Sequence, residues 1–195
     1  MLLWLCLVAA GDRYVIDASV GRFTAKVGTG GLLSSFGHPH TVALRDYSGE
    51  ADLPEGRLEG ATLRLGIRAD SAAEIGDAFS KAEREQIDRD VHAKVLEATK
   101  HPRIDFQGTA VSAKPLGEEK YQVQIDGQLT LHGVTRPLSI QAVVRVRDGL
   151  LTARGQFSIK HGDYGLERLS AAAGLVKASD EIVLSFDLQG RFLKH

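Results

Sequence analysis

From residue 12 onward, apolar and polar side chains alternate with a period of two. Successive side chains of a strand point to opposite faces, so this rhythm marks strands with one buried and one solvated face. Leu63, Leu65, Ile67 and Ala69 share a face, separated by Arg64, Gly66 and Arg68. The pattern continues through Ile104, Phe106, Gly108 and Ala110, and through Tyr121, Val123, Ile125, Gly127, Leu129 and Leu131. Further runs are Leu138 to Val146, Leu151 to Ile159 and Ile182 to Phe192, while weaker strands are predicted near 14–17, 22–27 and 40–47. One helix is predicted over about 82–98, where Ile87, Val91, Val95 and Ala98 form an apolar stripe opposite Glu83, Arg84, Asp88 and Lys94. Pro102 is expected to end it. Segment 69–81 reads as a short helix or a loop, and 162–181 as a long loop with at most a helical turn.

Many consecutive half-apolar strands need their apolar faces covered. A sheet that curls and closes on itself covers them and removes its edges. Gly66, Gly108, Gly127, Gly155 and Gly190 lie inside strands, where glycine permits the bending a small barrel needs. The expected fold is therefore mainly β, an antiparallel barrel with one helix near an opening. The residues alone leave its interior either filled or hollow.

Composition narrows the function. The 195 residues fit one domain, and 43% hydrophobic content supplies a core. The 24 basic residues balance 25 acidic ones, so nucleic acid is not expected as a partner. Cys6 stands alone, which excludes an intramolecular disulfide and a cysteine-based metal site. The apolar start MLLWLCLVAA is too short to span a bilayer but resembles the apolar region of a secretory signal, with Val8-Ala9-Ala10 near a cleavage point. We therefore expect residues 1–11 to act as a signal peptide, 12–195 to form the barrel, and the mature protein to be periplasmic or secreted.

The most specific stretch is Leu129-Thr130-Leu131-His132-Gly133-Val134-Thr135-Arg136-Pro137-Leu138. It is a hairpin, turned at Gly133 and fixed by Pro137. It resembles the signature hairpin of the YceI-like family, L-T, a residue or two, then G-x-T-[KR]-P. Four more matches follow the family order: Tyr14-Val15-Ile16-Asp17; Arg89-Asp90-Val91-His92; Pro102-Arg103-Ile104-Asp105-Phe106; and Asp163-Tyr164-Gly165 with Val176 and Asp180-Glu181-Ile182. The resemblance covers about 13–192. The chain departs from the family in placing Ser19-Val20-Gly21 where many members carry H-S, and Gly37-His38-Pro39-His40 is similar to a G-H-x-H found in one branch. The resemblance implies an eight-stranded, lipocalin-like barrel with a helix over one opening and a tunnel for a long isoprenoid, such as a polyprenyl pyrophosphate or a quinone, in the periplasm.

On this reading the apolar ligand is lined by Leu63, Leu65, Ile67, Ile104, Phe106, Val123, Ile125, Leu129, Ile140, Phe157, Leu184 and Phe186, with His38, His40, Arg89 and His92 at the headgroup or mouth. Lys100 is a further cation near the helix end, although Arg89 could equally be a solvated residue paired to Asp88 or Asp90. An alternative reading places a metal on His38 and His40, two apart and so on one strand face, with His92 or His161 as third ligand, in a metal-binding or redox-linked accessory protein. No G-x-S-x-G elbow, P-loop or dinucleotide fingerprint occurs. The chain is thus expected to bind rather than catalyse, with no cofactor beyond a bound isoprenoid or quinone, and as a monomer or a homodimer.

Overall fold

A computed structural model describes residues 11–31, 37–171 and 175–193; the apolar start at 1–10 lies outside these. Twelve strands, β1 (Asp12–Asp17), β2 (Arg22–Gly30), β3 (His40–Leu44), β4 (Tyr47–Leu53), β5 (Thr62–Arg68), β6 (Ala72–Glu74), β7 (Arg103–Gly117), β8 (Lys120–Leu131), β9 (Val134–Arg147), β10 (Leu150–Lys160), β11 (Ser170–Ala171) and β12 (Val176–Phe192), form one antiparallel sheet. β1 and β2 are two halves of one bent stave, as are β3 with β4, because each pair faces the same neighbouring stave on either side, and β5 with β6, which share the β3–β4 stave as neighbour. Counted this way there are eight staves in up-and-down order. The ring closes where β1 pairs β12, with Tyr14 opposite Phe192 and Ile16 opposite Gly190.

The bends explain where the sequence pattern was weak. The single strand predicted near 40–47 is broken at Arg45 and Asp46, so the side-chain alternation resets and the run 47–53 was not visible as its continuation. Segment 69–81 forms a short turn at Ala69–Ser71, β6 and a loop rather than a helix. The last strand begins at Val176, inside the segment read as loop, with a register irregularity between Ala178 and Ile182 that breaks its rhythm.

One end of the ring is plugged. Leu53, Val123 and Ala142 are almost wholly buried there with Tyr14, Val144 and Leu151, and Leu58 packs onto them from the β4–β5 connection. The other end stays open, because β6 extends past the last β5–β7 pair and has no partner on that side. The α-helix α1 (Lys81–Asp90), continued by a wider turn over Val91–Val95, packs against β6 and covers this end.

Ser80 starts α1 as a capping box, accepting from the Glu83 N–H while the Glu83 carboxylate accepts from the Ser80 N–H. The helix stops earlier than its apolar stripe suggests. Glu97 takes a left-handed conformation (φ 43°), so the chain leaves the helix before Ala98 and well before Pro102. The Leu96 N–H reaches back five residues to the Val91 carbonyl, a wide turn of the kind that re-aims side chains near functional sites.

Replacing Leu53 (1% exposed) by alanine leaves a cavity in the plugged end. It should cost about 2–5 kcal/mol in denaturant unfolding, whereas Leu116→Ala at the exposed end of β7 should stay within about 0.5 kcal/mol.

Candidate functional site

The interior holds two apolar chambers. The lower lies within the ring, has a volume of about 130 Å³, and is lined by all twelve side chains expected to face the interior, from Leu63 to Phe186. It is small because aromatic rings fill the ring's middle. Phe23 meets Tyr47 at 6.3 Å and Phe186 at 6.1 Å, and Phe157 meets Phe186 at 6.3 Å. Glycines make room for these rings: a Cβ on Gly155 would stand 2.5 Å from the Phe186 ring, and one on Gly127 2.8 Å from that of Phe106. Sequence reasoning expected a mainly aliphatic, roomier tube, since aromatics make up only 6% of the chain.

The upper chamber is larger, about 710 Å³, in the range typical of small-molecule sites. It lies between α1, β2, β3, the start of β12 and the 161–170 segment, with Ala25, Val27, Val42, Ile87, Val91 and Leu166 in its walls. Of the twelve expected ligand-facing residues only Ile104 and Leu184 reach it. Leu44, Ile104, Leu131, Ile159 and Leu184 line both chambers, so the two share a wall of aliphatic side chains.

The helix is held over this chamber by polar contacts to β6 and its following turn. The Asp88 carboxylate accepts from the Glu74 N–H (2.6 Å), His92 Nε2 donates to the Ala72 carbonyl (2.7 Å), and Arg84 reaches the Gly76 carbonyl. The Glu74 carboxylate, fully buried, gathers His40 Nδ1 (2.9 Å), the Thr41 N–H and the Gly76 N–H. Burial alone would push this carboxyl up, but those three donors outweigh it and hold it below the ordinary value. His40 also stacks on Phe79 at 4.9 Å, and His38 meets the same ring edge-on at 6.1 Å. Glu74 and Phe79 were not legible as site residues, because a short strand and a loop carry no periodic signal.

The expected mouth residues therefore separate. His38 and His40 line the upper chamber; Arg89 is exposed and donates to Gln86 Oε1 (2.7 Å), not to Asp88 or Asp90; and His92 is spent on β6. His38, His40 and His92 do not converge, and His161 donates from Nδ1 to the Asp180 carbonyl (3.0 Å). Among the described residues, the histidine-containing group whose ligand atoms do converge is Glu97, His101 and His132. No helix among the described residues is long and apolar enough to cross a membrane.

His161 is 4% exposed, and burial pushes its imidazole below the ordinary value of 6.5 even though Asp180 supports the ring. The unfolded chain then takes up a proton that the folded one resists, so stability should fall as pH drops below about 6.5. Glu74, lowered from 4.5, loses its contribution only as pH falls further, below that value. A melting-temperature profile from pH 8 to 4 should show the first decline, and His161→Gln should flatten it between about pH 6.5 and 5; an unchanged profile would show that this imidazole does not set the acid response.

No curated protein matches the sequence. Solved structures share the fold, three of them as follows. The polyisoprenoid-binding domain from Saccharophagus degradans implicated in plant cell wall breakdown is 18% identical with a TM-score of 0.68, covering 92% of this chain and 98% of that one. BcnA from Burkholderia cenocepacia is 19% identical with a TM-score of 0.64, covering 89% and 98%. The YCEI protein of Campylobacter jejuni is 20% identical with a TM-score of 0.54, covering 79% and 85%. The YceI-like domain profile matches residues 14–190, which span the whole ring and its helix, and the chain belongs to the YceI-like family.

Proposed function

We propose that the protein is a binding or carrier protein that holds one long apolar molecule, with its head in the upper chamber and its tail reaching the lower one. The observation that carries this reading is the upper chamber itself: about 710 Å³, apolar in its walls, and roofed by a helix fixed from the side. An apolar tail gains about 25 cal/mol for each Å² removed from water, so even a few isoprene units supply substantial affinity. Boundary residues such as Leu44 and Leu131 need only change rotamer for a tail to pass between chambers. The relative from Saccharophagus degradans, described as polyisoprenoid-binding, supports an isoprenoid as the chemical class.

The rim favours a neutral head. Glu83, Asp90 and Glu167 line the chamber against Lys177 as the only lysine or arginine among the described lining residues. A quinone carbonyl or a hydroxyl suits this rim better than a pyrophosphate, because acidic lining side chains outnumber Lys177. Binding rather than catalysis is the reading that fits walls of this largely apolar kind. The signal-like composition of residues 1–10 supports export to the periplasm or beyond.

Titration with a fluorescent long-chain prenol should show saturable binding at one site per chain. Ala25→Phe, which places a ring in the upper chamber, should weaken binding about tenfold or more, a loss of about 1.4 kcal/mol. Lys26→Gln, on the exposed face of the same strand, should leave it unchanged. Equal affinities for all three proteins would move the ligand out of this chamber, and tighter binding of the prenyl pyrophosphate than of the prenol would overturn the neutral head.

A further inference from the structure

The β8–β9 turn carries a group that the apolar-ligand reading does not use. His132 occupies that turn, and Glu97 and His101 lie just beyond the end of the helix, so one small site joins the roof to the barrel wall. One ligand atom from each residue falls within 4.8 Å of the others. His132 Nε2 lies 2.9 Å from Glu97 Oε2, and the rings of His101 and His132 are 4.6 Å apart.

We propose that Glu97, His101 and His132 form a divalent transition-metal site of the zinc type, with a fourth position open to water. The second nitrogen of His132 gives the main argument. Its Nδ1 faces the Tyr164 carbonyl at 3.3 Å, and a carbonyl can only accept. In the neutral ring with its proton on Nδ1, the Nε2 lone pair points at a carboxylate, which is also an acceptor. A cation between them satisfies both. A metal-bound imidazole commonly donates its other N–H to a backbone carbonyl in this way, which fixes the tautomer.

The surroundings hold the donors in place. Lys100 bonds Glu97 Oε1 and leaves Oε2 for the site. Glu97 (φ 43°) ends the helix and His132 (φ 53°) lies in the two-residue hairpin turn, so backbone geometry fixes where both side chains start. Gly133 (φ 75°) leaves room for the neighbouring ring, since a Cβ there would stand 2.9 Å from His101 Cε1. Two imidazoles and a carboxylate suit zinc, and around a tetrahedral ion with bonds of about 2.0–2.1 Å the donors sit about 3.4 Å apart. The gathered atoms need shifts of only about an ångström to reach that spacing. The bound ion would tie the end of the helix to the β8–β9 turn and, through Tyr164, to the segment leading into the mouth.

The full chain, dialysed against Zn2+ at pH 7.5 and freed of excess, should retain one metal per chain, and Co2+ in its place should give a tetrahedral visible spectrum. His101→Phe keeps a ring in the packing, and Glu97→Gln keeps the shape; each should weaken binding tenfold or more. His38→Ala together with His40→Ala should leave the stoichiometry at one. The proposal is overturned by a folded protein that retains no metal, by retention unchanged in His101→Phe and Glu97→Gln, or by retention lost only in the His38 and His40 double variant.

Discussion

A ring of hydrogen-bonded strands asks nothing of its interior. In an open sheet the edges must be covered, but here β1 pairs β12 and every stave finds a neighbour on each side over at least part of its length. Side chains inside such a ring can therefore leave space without exposing backbone groups. Pairing lapses between β9 and β10 beyond Ala142 and Gly155, and again beyond the last β5–β7 pair, where the helix sits and the larger chamber lies. Opening and roof follow from the same shortfall in pairing.

The chambers differ because their packing differs. Within the ring, aromatic side chains from β2, β4, β10 and β12 pack on one another, Phe186 over Gly155, and occupy the middle. Under the helix, the facing side chains are smaller and come from elements that diverge. Space survives where two layers are held apart by fixed polar contacts rather than drawn together by rings. Glu74, Asp88 and His92 are those contacts, and the buried carboxylate at their centre is held by three donors.

The sequence disclosed the strands whose inner face runs unbroken, such as the stretch from Tyr121 to Leu131, and it disclosed twelve of the side chains that line the lower chamber. It did not disclose the upper chamber, for a physical reason. Ala25, Val27 and Val42 lie on short staves broken by bends, and Leu166 and Leu169 lie in a segment without period. Alternation reports which face is buried, not how far the opposite wall stands. Mutual orientation was likewise invisible: Arg89 and His92 are three apart in sequence, yet one turns to Gln86 in solvent and the other binds β6.

The central claim is that the roofed chamber is a receptacle for a long apolar molecule. The most direct measurement is mass spectrometry of an organic extract of the protein as purified from cells that make isoprenoids, followed by exposure of the stripped protein to a defined prenyl quinone. The account predicts one isoprenoid or quinone per chain in the extract, or quantitative uptake afterwards. A protein that yields no such lipid and takes none up would contradict it.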